Sequence, residues 1–272
     1  MTILLRADRA VFRFSGPDAH KLVNDVVTGH IPHEPGVAAW WALLSAQGKV
    51  LAEGLAGWAD DALWLDVHLS VADDFFKRMK MYRLRAQVVI DDLRESHRVG
   101  FSDAPAPELI SHRDGTELGW RIIAPVEATA GWAADDRAYH AARIARGIPQ
   151  LGPDFPGMDA FAHDLGMDIL DGIDFVKGCY VGQEVVSRMK HRGTARRRPV
   201  IVSGIDAAAG TPVMAGTREA GSIGAVVDGK AVAILRLDRI TDPAAVTVDG
   251  KPVSVSLPGW ATYQFGETVA DE

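Results

Sequence analysis

Hydrophobic positions alternate with polar ones over 9–14 and predict a half-buried strand. Ser15, Gly16, Pro17 and Asp18 then supply an expected N-cap with a proline in the first turn, opening a helix that runs to about Val27. Leu22, Val23, Val26 and Val27 share one face of it, and Gly29 is expected to stop it. Three apolar stretches, roughly 39–45, 50–58 and 62–68, are broken by Gln47-Gly48 and Asp60-Asp61 and read as a meander. Ser70 and Asp73 start a second helix that turns Phe75, Phe76 and Met79 inward, and 86–90 returns as a strand.

Residues 102–115, with Pro105 and Pro107, read as an irregular connection or edge before a strand at about 118–124. A helix over 135–146 is expected to end at Gly147, with Ala138, Ala142 and Ala145 forming a closely packing face. A loop over 148–157, rich in proline and glycine, follows. A short helix is expected after Gly182, ending before Gly193. Two strand pairs, around Asp228-Gly229 and around Asp249-Gly250, carry the strongest short hairpin signal and imply a small β-barrel or sandwich from about residue 197. The class is α+β.

At 272 residues and 47% hydrophobic content, the chain is long and apolar enough for about two domains with real cores. Its net charge of −7 argues against general nucleic-acid binding, which wants a basic domain. No run of eighteen apolar residues is present, so no membrane partner is expected. One cysteine and a start without an apolar signal stretch lead to the expectation of a reducing, cytoplasmic location.

That cysteine, Cys179, stands in the block Lys177-Gly178-Cys179-Tyr180-Val181-Gly182-Gln183-Glu184. Gly178 and Gly182 clear the backbone of Cβ atoms around the thiol. The coming helix N-terminus and Lys177 both favour the thiolate over the thiol. Between Arg188 and Arg198 lie six Lys or Arg residues, with His191 and no acid, a stretch suited to an anionic ligand or to an acidic partner surface. A site for a flat heterocyclic ligand with N–H donors needs a carboxylate acceptor and an apolar wall; Glu184 and Asp168 are candidates for the first, and Trp40, Trp41, Trp58, Trp64 and Trp120 for the second. Arg188 follows Glu184 at i+4, either as an exposed ion pair or as a holder of a carboxylate tail. An iron–sulfur cluster generally takes four protein ligands, so one cysteine speaks against stable cluster ownership, and no stably bound metal is expected.

The string KGCYVGQE, followed by Val185-Val186-Ser187-Arg188-Met189 and His191-Arg192-Gly193, resembles the signature of the YgfZ family of folate-binding proteins. Further likeness runs through Ser15-Gly16-Pro17-Asp18, Gln47-Gly48-Lys49, Tyr82-Arg83-Leu84-Arg85 and 143–149. The resemblance implies a T-protein-like arrangement of three domains around a central opening. These would be a discontinuous α+β domain over 1–36 and 105–196 carrying the signature, an α+β domain over 37–104, and a β-barrel domain over 197–272. It implies a tetrahydrofolate-binding accessory protein that supports assembly or repair of [4Fe–4S] enzymes, with the assembly machinery or client enzymes as partners. Cys179 and Lys177 would carry the chemistry within the motif of Gly178, Tyr180, Gly182, Gln183 and Glu184, and Glu184, Arg188 and Asp168 would meet folate. A folate-dependent aminomethyl or other one-carbon transferase is the alternative.

Overall fold

The computed structural model describes residues 1–193 and 195–266. One nine-stranded sheet organises the first part of the chain. Its strands are β1 (Leu4–Arg6), β2 (Arg9–Ser15), β3 (Val37–Leu44), β4 (Val50–Ala59), β5 (Ala62–His68), β6 (Val89–Asp92), β7 (His97–Ser102), β8 (Ile110–Asp114) and β9 (Trp120–Pro125). They lie in the order β1-β7-β9-β8-β3-β4-β5-β2-β6. Pairing is antiparallel except between β3 and β8. Strands from both expected α+β units therefore share one hydrogen-bonded ladder.

The period of two along β3 shows how one strand serves two cores. Trp41 and Leu43 enter a cluster with Phe12, Phe14, Val23, Phe75 and Met79, while Trp40, Ala42 and Leu44 enter another with Leu151, Phe155, Tyr180 and Val186. The first core is covered by helices α1 (Ala19–Val26) and α2 (Ala72–Arg83). The second carries the cysteine block. Each fully buried large apolar side chain contributes about 1.5–3 kcal/mol, so both faces are firmly held.

Several sequence expectations are corrected here. Asp18 is the N-cap of α1 but makes no capping bond from its side chain, because its carboxylate accepts instead from the Gln87 amide. Gly29 lies beyond the helix end at Val27, and its need for glycine is a close approach: a Cβ there would sit 2.4 Å from the Trp40 carbonyl oxygen. The 102–115 stretch contains a true strand, β8. The strand expected at 86–90 begins later, at Val89. Helix α3 (Arg137–Arg146) ends at Gly147 as expected, but it buries Tyr139, Arg143 and Ile144 and leaves Ala138 and Ala145 exposed. The Arg143 guanidinium pairs with Asp154 at full burial, and that ion pair decides which face turns inward.

After helix α4 (Gln183–Arg192), the chain enters two small sheets. One has the order β13 (Lys230–Arg236), β10 (Arg197–Ser203), β16 (Ser254–Ser256); the other has β12 (Arg218–Ser222), β11 (Pro212–Ala215), β14 (Val246–Val248), β15 (Lys251–Pro252). They enclose a common core of Val200, Val202, Val213, Leu235 and Val248. Both Asp-Gly turns form, with positive φ at Asp228, Gly229, Asp249 and Gly250 as a two-residue hairpin of this kind requires.

Candidate functional site: an anchored thiol loop beside a basic cleft

Cys179 is exposed. The loop that carries it is fastened from below. Thr28 accepts the Asp174 amide and donates its hydroxyl to the Gly172 carbonyl. The Asp174 carboxylate accepts from the amides of Val176 and Lys177. The Lys177 ammonium donates to the carbonyls of Asn24 and Gly29, at 2.8 and 2.7 Å. Burial pulls its pKa down to about 8, against the opposing attraction of Asp174 and Asp25. Its nitrogen also lies 5.2 Å from the centre of the Tyr180 ring. Tyr180 is buried in the second core, which raises its own pKa to about 12.

The two motif glycines differ. Gly182 has φ +84° and caps α4; a Cβ on it would come within 2.9 Å of Leu44 and the Ser45 carbonyl. Gly178 has open space around it and no positive φ. Gly48, in the β3–β4 turn, has φ +77° and packs against Val185 so closely that a Cβ would be 2.8 Å from it. Gly48 and Gly182 thus seat the start of α4 on the β3–β4 turn. Cys179 precedes the cap with Tyr180 and Val181 between, and the Gln183 amide donates to the Tyr180 carbonyl.

Helix α4 separates the expected folate residues. Glu184 and Arg188 form an exposed i,i+4 pair at 2.9 Å, worth about 0.3–0.5 kcal/mol. Asp168 lies elsewhere, in a cleft of about 470 Å³ whose wall includes Phe175, Met189, Lys190, Arg192, Arg198 and Tyr263. The Arg198 guanidinium grips both Asp168 oxygens, at 2.7 and 3.0 Å. None of the five tryptophans named as wall candidates lines this cleft.

The cleft also exposes a residue that sequence reasoning passed over. His163 is buried at 2% exposure, lines the cleft, and has no hydrogen-bond partner among the described residues for either ring nitrogen. Burial lowers its pKa, so the neutral imidazole offers one donor and one acceptor. A lone histidine has no sequence signature. Lys190 lies with its nitrogen 3.7 Å from the centre of the Phe175 ring.

A second polar cluster is closed. Arg9, Glu53, Asp66, Asp114, Arg121 and Arg143 are all buried around or beside a cavity of about 20 Å³. That is space for about one water. Among the described residues, no three His, Cys, Asp or Glu side chains converge on a metal position.

Residues 195–263 match the family described as CAF17, C-terminal beta-barrel domain. The mitochondrial iron-sulfur cluster assembly factor IBA57 of Mus musculus is 28% identical over 297 residues, covering 93% of this chain and 83% of that protein. Its Homo sapiens counterpart is 27% identical with the same coverage. The mitochondrial IBA57 homolog of Pyricularia oryzae is 30% identical across 70% of this chain and 54% of its own length, so the chain spans about half of that fungal relative. In solved structures, glycine cleavage system aminomethyltransferase T from Bartonella henselae aligns with a TM-score of 0.74 at 14% identity, covering 97% of this chain and 87% of that one. The chain has the T-protein fold with a C-terminal β-barrel domain. The cytoplasmic expectation is overturned, since these relatives are mitochondrial. A single free cysteine reports a reducing compartment and not which one.

Proposed function

We propose that this chain is an accessory factor for iron–sulfur cluster assembly, of the YgfZ kind, that acts through Cys179 and takes a reduced folate in the basic cleft. The observation that carries the reading is an exposed thiol on a loop fastened at Thr28, Asp174 and Lys177, in a chain similar along 93% of its length to assembly factors of mouse and human. One thiolate is a soft ligand but only one of the four that a cluster generally takes. Cys179 therefore contacts a cluster as cargo, with the remaining ligands coming from the assembly machinery or a client enzyme.

The cleft residues fit a folate. Its volume lies within the range of small-molecule sites, and Phe175 and Tyr263 supply an aromatic wall. Asp168 spends one lone pair per oxygen on Arg198 and keeps others for pterin N–H groups, while His163 offers an unpaired donor and acceptor. The interior cavity of about 20 Å³ has no room for a pterin. A bound reduced folate would supply one-carbon or reducing chemistry; the chain's own part is to bind and orient it.

Two measurements test the reading. Cells lacking the protein should lose [4Fe–4S] enzyme activity and regain it with this chain; undiminished activity in the deletion strain contradicts the assembly role. Titration with tetrahydrofolate should saturate, and Asp168→Asn should weaken it by about tenfold, the loss of one charge-assisted hydrogen bond. Formation of methylene- or methyl-tetrahydrofolate from aminomethyl or methyl donors would instead establish a one-carbon transferase.

A further inference from the structure

We infer that strand β6, the open edge of the large sheet, takes an extended acidic segment of a partner protein as an added strand. The two edges of that sheet differ. At β1 the edge is closed, because the Leu5 amide donates to the Ala133 carbonyl and the Ala133 amide donates to the Ile3 carbonyl. At β6 the sheet ends, with no further strand among the described residues. The Leu93 amide donates to the Val11 carbonyl, and antiparallel bonding alternates along the strand. Val89 and Asp91 therefore bond to β2, while Ile90 and Asp92 turn their amides and carbonyls outward. Such a row of open backbone groups is a template for another strand.

Helix α2 runs along this edge. Asp73 in its first turn pairs with Arg94, just past the end of β6, and the Arg83 guanidinium in its last turn reaches the Val88 carbonyl, just before the strand starts. Ala72, Phe75 and Met79 are buried, and Phe76, Lys77, Lys80 and Met81 line an open depression of about 350 Å³ together with Asp73. Edge strands are ordinarily blunted by an uncompensated charge or a bulge. Strand β6 has neither: Asp91 is matched by Arg13 and Asp92 by Arg94, and the pairing with β2 is regular.

Met81, Leu84 and Val89 bring large apolar side chains to the surface on this side of the molecule, at 54, 86 and 57% exposure. Leu84 is also held at φ +43° and ψ −106°, a strained conformation for a residue with a Cβ. A leucine both strained and turned to water has no reason within the chain; a strand laid along β6 covers it. The charge of that strand follows from α2. Asp73 is taken by Arg94 and Asp74 by Arg78. Lys80 has a ring contact with Phe76, and neither it nor Lys77 has a carboxylate among the described residues. Backbone bonds to the edge give affinity, and acidic side chains opposite Lys77 and Lys80 give the preference.

The test titrates the whole chain with a short synthetic peptide of alternating valine and glutamate and follows amide hydrogen exchange residue by residue. The peptide should bind saturably with a Kd of about 0.1 mM. At about 1 mM peptide the outward amides of Ile90 and Asp92 should then exchange about tenfold more slowly, and those of Val89 and Asp91 should be unchanged. A peptide with lysine in place of glutamate should bind about tenfold more weakly at about 0.1 M salt. In the double variant Lys77→Glu/Lys80→Glu, checked for folding by circular dichroism, that preference should vanish or reverse. An acidic peptide N-methylated along its pairing edge should not bind. No saturable binding of the acidic peptide, binding without protection at Ile90 and Asp92, or undiminished binding of the N-methylated form each overturns the inference. Association with phosphatidylglycerol vesicles in the absence of any peptide binding would assign the surface to lipid and overturn it as well.

Discussion

Arg9 and Arg143 in the interior and Lys190 and Arg192 on the cleft rim carry the same charge in opposite circumstances. Arg9 lies against Asp66 and Glu53, Arg121 faces Asp66 at 3.7 Å, and Arg143 is paired with Asp154, all but removed from water. Burial acts to lower the Arg9 pKa, yet Asp66 and Glu53 together outweigh it and raise it. The rim cations have no such carboxylates among the described residues and are exposed to water. Matched charge surrounds a cavity of about 20 Å³; unmatched charge among the described residues borders a cleft of about 470 Å³, where the proposed ligand would bind.

The contrast breaks most visibly in the interior. Arg9→Met leaves buried Glu53 without its cation and Asp66 with only Arg121 at 3.7 Å, and should cost about 3–5 kcal/mol in urea unfolding. The double variant Lys190→Gln/Arg192→Gln on the cleft rim should change the same unfolding curve by no more than about 1 kcal/mol. A loss from the rim variant as large as that from Arg9→Met would erase the distinction. Next in size, Gly182→Ala places a methyl group against Leu44 and the Ser45 carbonyl at a positive φ. It should cost about 1–3 kcal/mol and change the alkylation rate of Cys179. The open position Gly178→Ala should do neither.

Asp114 gives a pH-dependent form of the comparison. Burial raises its pKa above the 3.8 of an ordinary aspartate, with Arg121 and the Thr116 donors acting the other way. The folded state therefore holds this proton to higher pH than the unfolded state. Its contribution to stability is fully present below 3.8 and is lost as pH rises through the raised value. Asp114→Asn keeps an acceptor for the Thr116 amide and hydroxyl, so it should be at least as stable as wild type at pH 7, with the gap closing as pH falls toward 3.8. A gap that widens toward acid contradicts the assignment. Smallest of all, Arg188→Ala should cost no more than about 0.5 kcal/mol, because its pair with Glu184 is exposed.

Much of this was legible where local chemistry is strict. The Asp-Gly turns announced both hairpins because their positive φ values admit few other pairs, and Gly147 and Gly193 stopped α3 and α4 in left-handed caps. The glycine-flanked block identified an exposed thiol correctly, though the reason Gly182 and Gly48 are glycine lies in tertiary contact between α4 and the β3–β4 turn. Strand β8 was hidden by two nearby prolines and by its charged end, where Arg113 is exposed but Asp114 is buried, a difference the sequence does not show. The alanine face of α3 misled because a buried arginine and a surface arginine look alike in sequence, and pairing with Asp154, in the loop that follows the helix, turns Arg143 inward. His163 escaped for the same reason: its position over the cleft is made by the fold, not by its neighbours in sequence.

Cys179→Ser expressed in cells deleted for the protein tests the central claim most directly. The variant should fold and melt as the wild type does, since the side chain is exposed, and should leave [4Fe–4S] enzyme activities as low as in the deletion. Full restoration of those activities by the serine variant would contradict a role for the thiol and, with it, the account of this loop.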